Sequence, residues 1–238
     1  MVSLPLSIAM VLACLALVGY VLAVVRKALY HIDGSKAAVR FRWVGIVALL
    51  WLVFTAGLGY SGFIQDWNAM PPRFLAVIVP MVVGWVWLAL HPAVGQFART
   101  LSLRWLTGVQ TFRFAAEAFI WFAVVEGAMP ELLTFHGAGR NFDILTPILA
   151  SVLAVALPGR EVALRRWVWA FNVVGLALLV NVVAIAILSS PQFLLIPADP
   201  PNAIFAGFPG VWLPAVMVWL AGALHILSIR NLRQYSTN

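Results

Sequence analysis

Seven stretches of the chain approach the roughly 20 apolar residues that an α-helix needs to cross about 30 Å of hydrocarbon. They cover residues 4–25, 43–65, 74–96, 105–129, 142–158, 168–188 and 211–229. The fifth is short and the fourth carries charge. Of the 238 residues 63% are apolar and only 10% charged, against about 25% charged in a soluble domain, so the chain cannot cover a globule with polar surface. The pattern predicts an all-α integral membrane protein, a seven-transmembrane-helix bundle forming one transmembrane domain over 1–238. It excludes a soluble dinucleotide-binding enzyme, a disordered tail and a disulfide-stapled scaffold. Cys14 is the single cysteine, which leaves no internal disulfide, iron–sulfur cluster or thiolate zinc site. Its apolar context predicts a buried small hydrophobe.

Orientation follows from the lysines and arginines between the stretches, because cytoplasmic loops hold the excess. One side collects Arg26, Lys27, Lys36, Arg40 and Arg42, then Arg99 and Arg104, then Arg160, Arg165 and Arg166, then Arg230 and Arg233; the other holds only Arg73 and Arg140. The N-terminus is therefore expected outside and the C-terminus in the cytoplasm, in a multi-pass protein of the cell inner membrane. Trp43, Trp67, Trp105, Trp167 and Trp212 fall at stretch ends, where indoles prefer the headgroup level. The net charge of +7 is thus explained by topology. Nucleic acid is not an expected partner, and the bilayer is.

Ionisable groups at membrane depth are costly and usually face the bundle interior. Arg113 and Glu117, four residues apart on the fourth stretch, share a helix face, with Gln110 about 60° from Arg113 on the same side. One reading is a neutralised intrahelical pair that pins the helix to its neighbours. The other is a proton or solute site in which Glu117 changes charge and Arg113 is its partner. His225 lies five residues before Arg230, about 7 to 8 Å above the inner boundary. It shares a stripe with Pro214, Met217, Ala221 and Ser228, and joins an inner polar cluster if that stripe faces the fourth helix. Otherwise it is a hydrogen-bonded packing residue. Asn172 and Asn181, nine residues apart, face nearly opposite sides and need no more than interhelical hydrogen bonds. The four histidines sit on separate segments without metal-ligand spacing, so no metal and no cofactor is expected.

The outer connection before the fifth stretch carries Gly137, Gly139, Arg140, Asn141 and Asp143. Asn141 reads as an N-cap and Asp143 as a first-turn acid, or the group forms an anion-binding corner at a helix N-terminus. Residues 189–210 hold five prolines and three phenylalanines, which forbids a regular helix and suggests either a lid or an interfacial loop. The expected pocket opens to the outer side, bounded by the fourth, fifth and seventh helices. Arg140, Asn141 and Asp143 stand at its rim and Glu126 on or near its wall.

Seven spans with an external N-terminus match the plan of microbial rhodopsins, but the only lysines are Lys27 and Lys36, in the first inner loop, so retinal attachment is excluded. Gln110, Thr111, Phe112 and Arg113 with Glu117, then Thr134 and Phe135 followed by the run from Arg140 to Leu145, then the run from Phe208 to Pro214, resemble an uncharacterised family of bacterial integral membrane proteins. The resemblance covers about 110–232, with a small insertion around 137–139, and implies no activity. The leading expectation is small-solute or proton-linked transport or binding at a polar site on the fourth helix. The rivals are an intramembrane enzyme acting on a lipid or isoprenoid, for which no nucleophile motif is present, and an assembly or sensory partner without a ligand. A small molecule or lipid would enter from the outer side, and oligomeric state stays open.

Overall fold

The computed structural model describes residues 2–32 and 34–234. Every regular element among them is helical. Apart from three short 3₁₀ turns in the connections, these are in order α1 (Leu4–Ile32), α2 (Ala37–Tyr60), α3 (Leu75–Leu90), α4 (Pro92–Arg99), α5 (Leu103–Gly108), a 3₁₀ turn (Val109–Phe112), α6 (Arg113–Val125), α7 (Leu145–Ala156), α8 (Glu161–Leu188), a π-helical stretch (Leu213–Val218) and α9 (Trp219–Gln234).

Five helical runs are long and apolar enough to cross a membrane: Leu4–Ile32, Ala37–Tyr60, Leu103–Val125, Glu161–Leu188 and Leu213–Arg233. There are six if the bent pair α3 and α4 counts as one. Proline explains the bend. Pro92 has no N–H and holds His91 extended at φ −69°, ψ 126°, so the 74–96 stretch breaks there and its halves diverge by 73°. Arg230 compensates, its Nη1 donating to the carbonyls of Leu88, Ala89 and His91 at 2.8, 3.0 and 2.9 Å. The 142–158 stretch is helical only over the 12 residues of α7, about 18 Å, because its first residues are a non-helical turn that buries Asp143.

The run through the π-stretch and α9 is the most buried of the five and forms the axis of the bundle. It packs on α3 by exchanging tryptophans for glycines. Trp85 lies over Gly222, where a Cβ would come within 2.5 Å of the indole, and Trp219 lies over Gly84. Trp85 Nε1 donates to the Trp219 carbonyl at 2.9 Å. Large apolar side chains on the outward faces, such as Leu50, Val155 and Val180, are more than half exposed, a surface suited to lipid.

Chain direction alternates, so the two ends of the bundle differ. Connections 61–74, 126–144 and 189–212 share one end, where Trp67 against Phe205 and Phe74 against Phe193 tie the first to the last. Here the proline-rich segment packs over the bundle, with Ser189, Ser190, Asn202 and Ala206 buried. The opposite end has short turns and carries the arginines of residues 99–104, 160–166 and 230–233.

Candidate functional site

The site is assembled by an irregular connection that turns back into the bundle. α6 rises from Arg113 to Val125, and Gly127 reverses the chain at φ 69°. Residues 129–143 then descend beside α6 and bury Met129, Leu132, Leu133 and Thr134. Gly139 permits the closest step, since a Cβ there would strike the Thr134 carbonyl. Arg140 N donates to Leu132 O, and Asn141 N to Thr134 O, both at 2.9 Å. Asn141 and Asp143 therefore lie in the core, 0% and 5% exposed, and α7 begins level with the start of α6. Such backbone is tolerated at membrane depth only when buried in protein or lining a cavity.

Asn141 holds this turn. Its Oδ1 accepts from Asp143 N at 2.9 Å, and its Nδ2 donates to Leu133 O at 2.9 Å. The same Nδ2 reaches both Glu117 oxygens at 3.2 and 3.1 Å. Arg113 pairs not with Glu117 but with Asp143, through Nε to Oδ2 at 2.9 Å and through a second bond from Nη2 to Oδ1. Helical spacing set the first expectation, but a two-pronged guanidinium bond needs a carboxylate facing it edge on. The returning chain supplies one and the next turn of α6 does not.

On its other flank, Arg113 Nη1 lies 3.2 Å from His225 Nε2, and His225 Nδ1 lies 2.9 Å from Asn172 Oδ1. Arginine can only donate, so Nε2 is the acceptor and the imidazole is neutral with its proton on Nδ1. Asn172 agrees: its Nδ2 donates to Val168 O and Ser228 Oγ, both at 2.8 Å, leaving Oδ1 to accept. Gly175 makes room for the ring, since a Cβ there would lie 2.5 Å from Nε2. One guanidinium therefore stands among two carboxyl groups and a neutral imidazole.

Glu117, Arg113 and Asp143 form one wall of a cavity of about 90 Å³. It lies between α3, α6, α8 and the π-stretch, beneath connections 61–74 and 189–212, and apart from Asn202 its other walls are apolar and rich in Phe and Met. At ~30 Å³ per water it has room for about three. The π-helical turn places Leu213, Pro214 and Met217 on the cavity, and the Ala215 carbonyl accepts from Trp51 Nε1 at 2.8 Å. Such π-turns are frequent at functional sites.

The other expected residues are placed apart. Gln110 is fully buried beside the cluster, but its Nε2 donates to Ala221 O at 3.1 Å. Arg140 is the last exposed residue before the chain turns inward, and its carbonyl accepts from Asn181 Nδ2 at 2.9 Å. Glu126 is exposed past the end of α6, nine residues from Glu117 and so about 13 Å along the axis. It accepts from Ser3 N and Oγ at 2.7 and 2.5 Å, bonds that hold its carboxyl below the usual range. Neither Arg140 nor Glu126 lines the cavity. Asn202, which does, escaped sequence reasoning because a polar residue in a proline-rich loop gives no periodic signal. Among the described residues no group of three or more His, Cys, Asp or Glu is placed to hold a metal ion.

Residues 70–233 match the family model described as Domain of unknown function (DUF8737). The chain belongs to that family. No curated protein and no solved structure matches the chain. Every member of the polar network lies within the DUF8737 stretch, whereas α1 and α2 precede it.

Proposed function

We propose that the protein is a seven-span inner-membrane protein that binds, and moves across the bilayer, a small solute or a proton, with Glu117 as the group that changes charge. Its N-terminus lies outside, and the cavity opens toward the outer side. α7 and its non-helical lead make the fifth span, and α3 with α4 the third. The observation that carries the function is the imbalance around Arg113. A bidentate bond commits the guanidinium to Asp143, and His225 is neutral, so Glu117 faces the cavity with only the weak, shared Asn141 donor. A buried carboxyl without its own countercharge needs a proton or a cation. Support also comes from a half-length helix starting beside the site and an irregular connection at its depth, both common where transporters bind.

Reconstitution into liposomes with an internal pH dye tests the function. Under an imposed inside-negative potential the wild type is expected to admit protons faster than empty liposomes, and Glu117→Gln to lose the increment. Equal rates in all three preparations would overturn the reading. For topology, cysteine at exposed Asp199 should react with an impermeant maleimide in intact cells and cysteine at exposed Ser35 should not, while Cys14 is fully buried and silent. The reverse pattern would invert the orientation.

A further inference from the structure

Resting on that reading, the geometry points to the class of solute: we propose that the cavity takes a small organic cation, an alkylammonium with a short apolar body. Three features converge on it. The first is charge. Two carboxyl groups and one guanidinium line the cavity, and its remaining lining residues carry no charge, so an anion would meet an excess of negative charge while a cation completes the balance.

The second is hydrogen-bond polarity. Asn202 also lines the cavity, and its Oδ1 is buried without a partner, while its Nδ2 donates to Ala186 O at 3.0 Å. That donation fixes which end of the amide is oxygen. Among the described residues that line the cavity, the one buried side-chain polar atom without a partner is thus an acceptor, on a different element from Glu117, and an ammonium is a pure donor. The third is the wall. Phe74, Phe112, Phe205, Met81 and Met217 surround the space, and aromatic faces attract cations while accepting methylene groups. A volume of about 90 Å³ holds about five non-hydrogen atoms at close-packed density. That suits a small amine, free or at the end of a lipid headgroup.

The test is calorimetric titration of the purified full chain in phosphatidylcholine nanodiscs with n-butylammonium, n-butanol and n-butyrate, which share one apolar body and differ in charge. Saturable binding of butylammonium is expected, with butanol about tenfold weaker and butyrate undetectable. Glu117→Gln should weaken butylammonium about tenfold, and Ala116→Leu, which fills the cavity, should remove binding while tryptophan fluorescence reports intact folding. Equal binding of butyrate, unchanged affinity in Glu117→Gln, or no saturable binding to wild type would each overturn the assignment. Competition from phosphatidylethanolamine nanodiscs would overturn a free solute in favour of a lipid headgroup. If no amine binds while Glu117 still titrates, the cation falls and the proton reading stands; if Glu117 does not titrate either, both fall.

Discussion

Asp143→Asn and Glu117→Gln each remove one negative charge from the same cluster, and the structure predicts unequal costs. Asp143 is 5% exposed and is bonded by both Nε and Nη2 of Arg113. Its replacement leaves a buried guanidinium without its countercharge, a loss of about 3 to 5 kcal/mol. Glu117 accepts only from Asn141 Nδ2, at 3.1 and 3.2 Å. Glutamine keeps an acceptor there and removes both the repulsion from Asp143 and the attraction to Arg113, which oppose each other, so the net change stays within about 1 kcal/mol. At roughly 2 to 4 °C per kcal/mol for a chain of this size, Asp143→Asn should lower the unfolding midpoint by roughly 6 to 20 °C, and Glu117→Gln by at most about 4 °C. The 11 tryptophans give the signal for a thermal ramp in mild detergent. In the Asp143→Asn background Glu117, one turn from Arg113, becomes the remaining countercharge, so Glu117→Gln should cost more there than in wild type. Equal single-variant costs would show that Glu117 is a structural partner of Arg113 and would refute the division of roles.

Gly175→Ala should cost about 1 to 3 kcal/mol by overpacking, because its Cβ would lie 2.5 Å from His225 Nε2; the cost should vanish in a His225→Ala background, and additive costs would place the strain elsewhere. Nitrogen NMR of labelled histidine should show His225 as the neutral Nδ1–H tautomer, whereas an imidazolium would contradict the bond from Arg113. Glu126 has a carboxyl held below its usual range by Ser3, so the attachment of the start of α1 is complete above the unfolded value of about 4.3 and is lost as pH falls through the lower folded value. Protection against hydrogen exchange at residues 4–8, taken relative to the intrinsic rate at each pH, should fall in that acid range in wild type and already at neutral pH in Glu126→Gln, and protection that does not change with pH would contradict the link.

Helical class and membrane-compatible length were legible because a 20-residue apolar run has few other uses. The breaks were not. Pro92 was visible within the 74–96 stretch, but hydropathy averages over the bend it causes. The shortening of α7 was hidden because Asn141 and Asp143 fit a surface cap as well as a buried turn, and only the Gly139 step and the bonds to Thr134 and Leu132 separate the two. Spacing brought Arg113, Glu117 and His225 into view, yet it favours neighbours on one helix, so it paired Arg113 with Glu117. The true partner, Asp143, lies 30 residues away, and long-range pairing leaves no periodic trace. Asn172 could be read only as a generic interhelical bond until His225 Nδ1 was seen against it.

The central claim, that Glu117 gains and loses a proton inside the bundle, is tested most directly by infrared difference spectroscopy of the protein in lipid as pH is changed. A protonated-carboxyl stretch that titrates in wild type, persists in Glu126→Gln and disappears in Glu117→Gln is the predicted result. A spectrum in which no titrating carboxyl band responds to Glu117→Gln would contradict it.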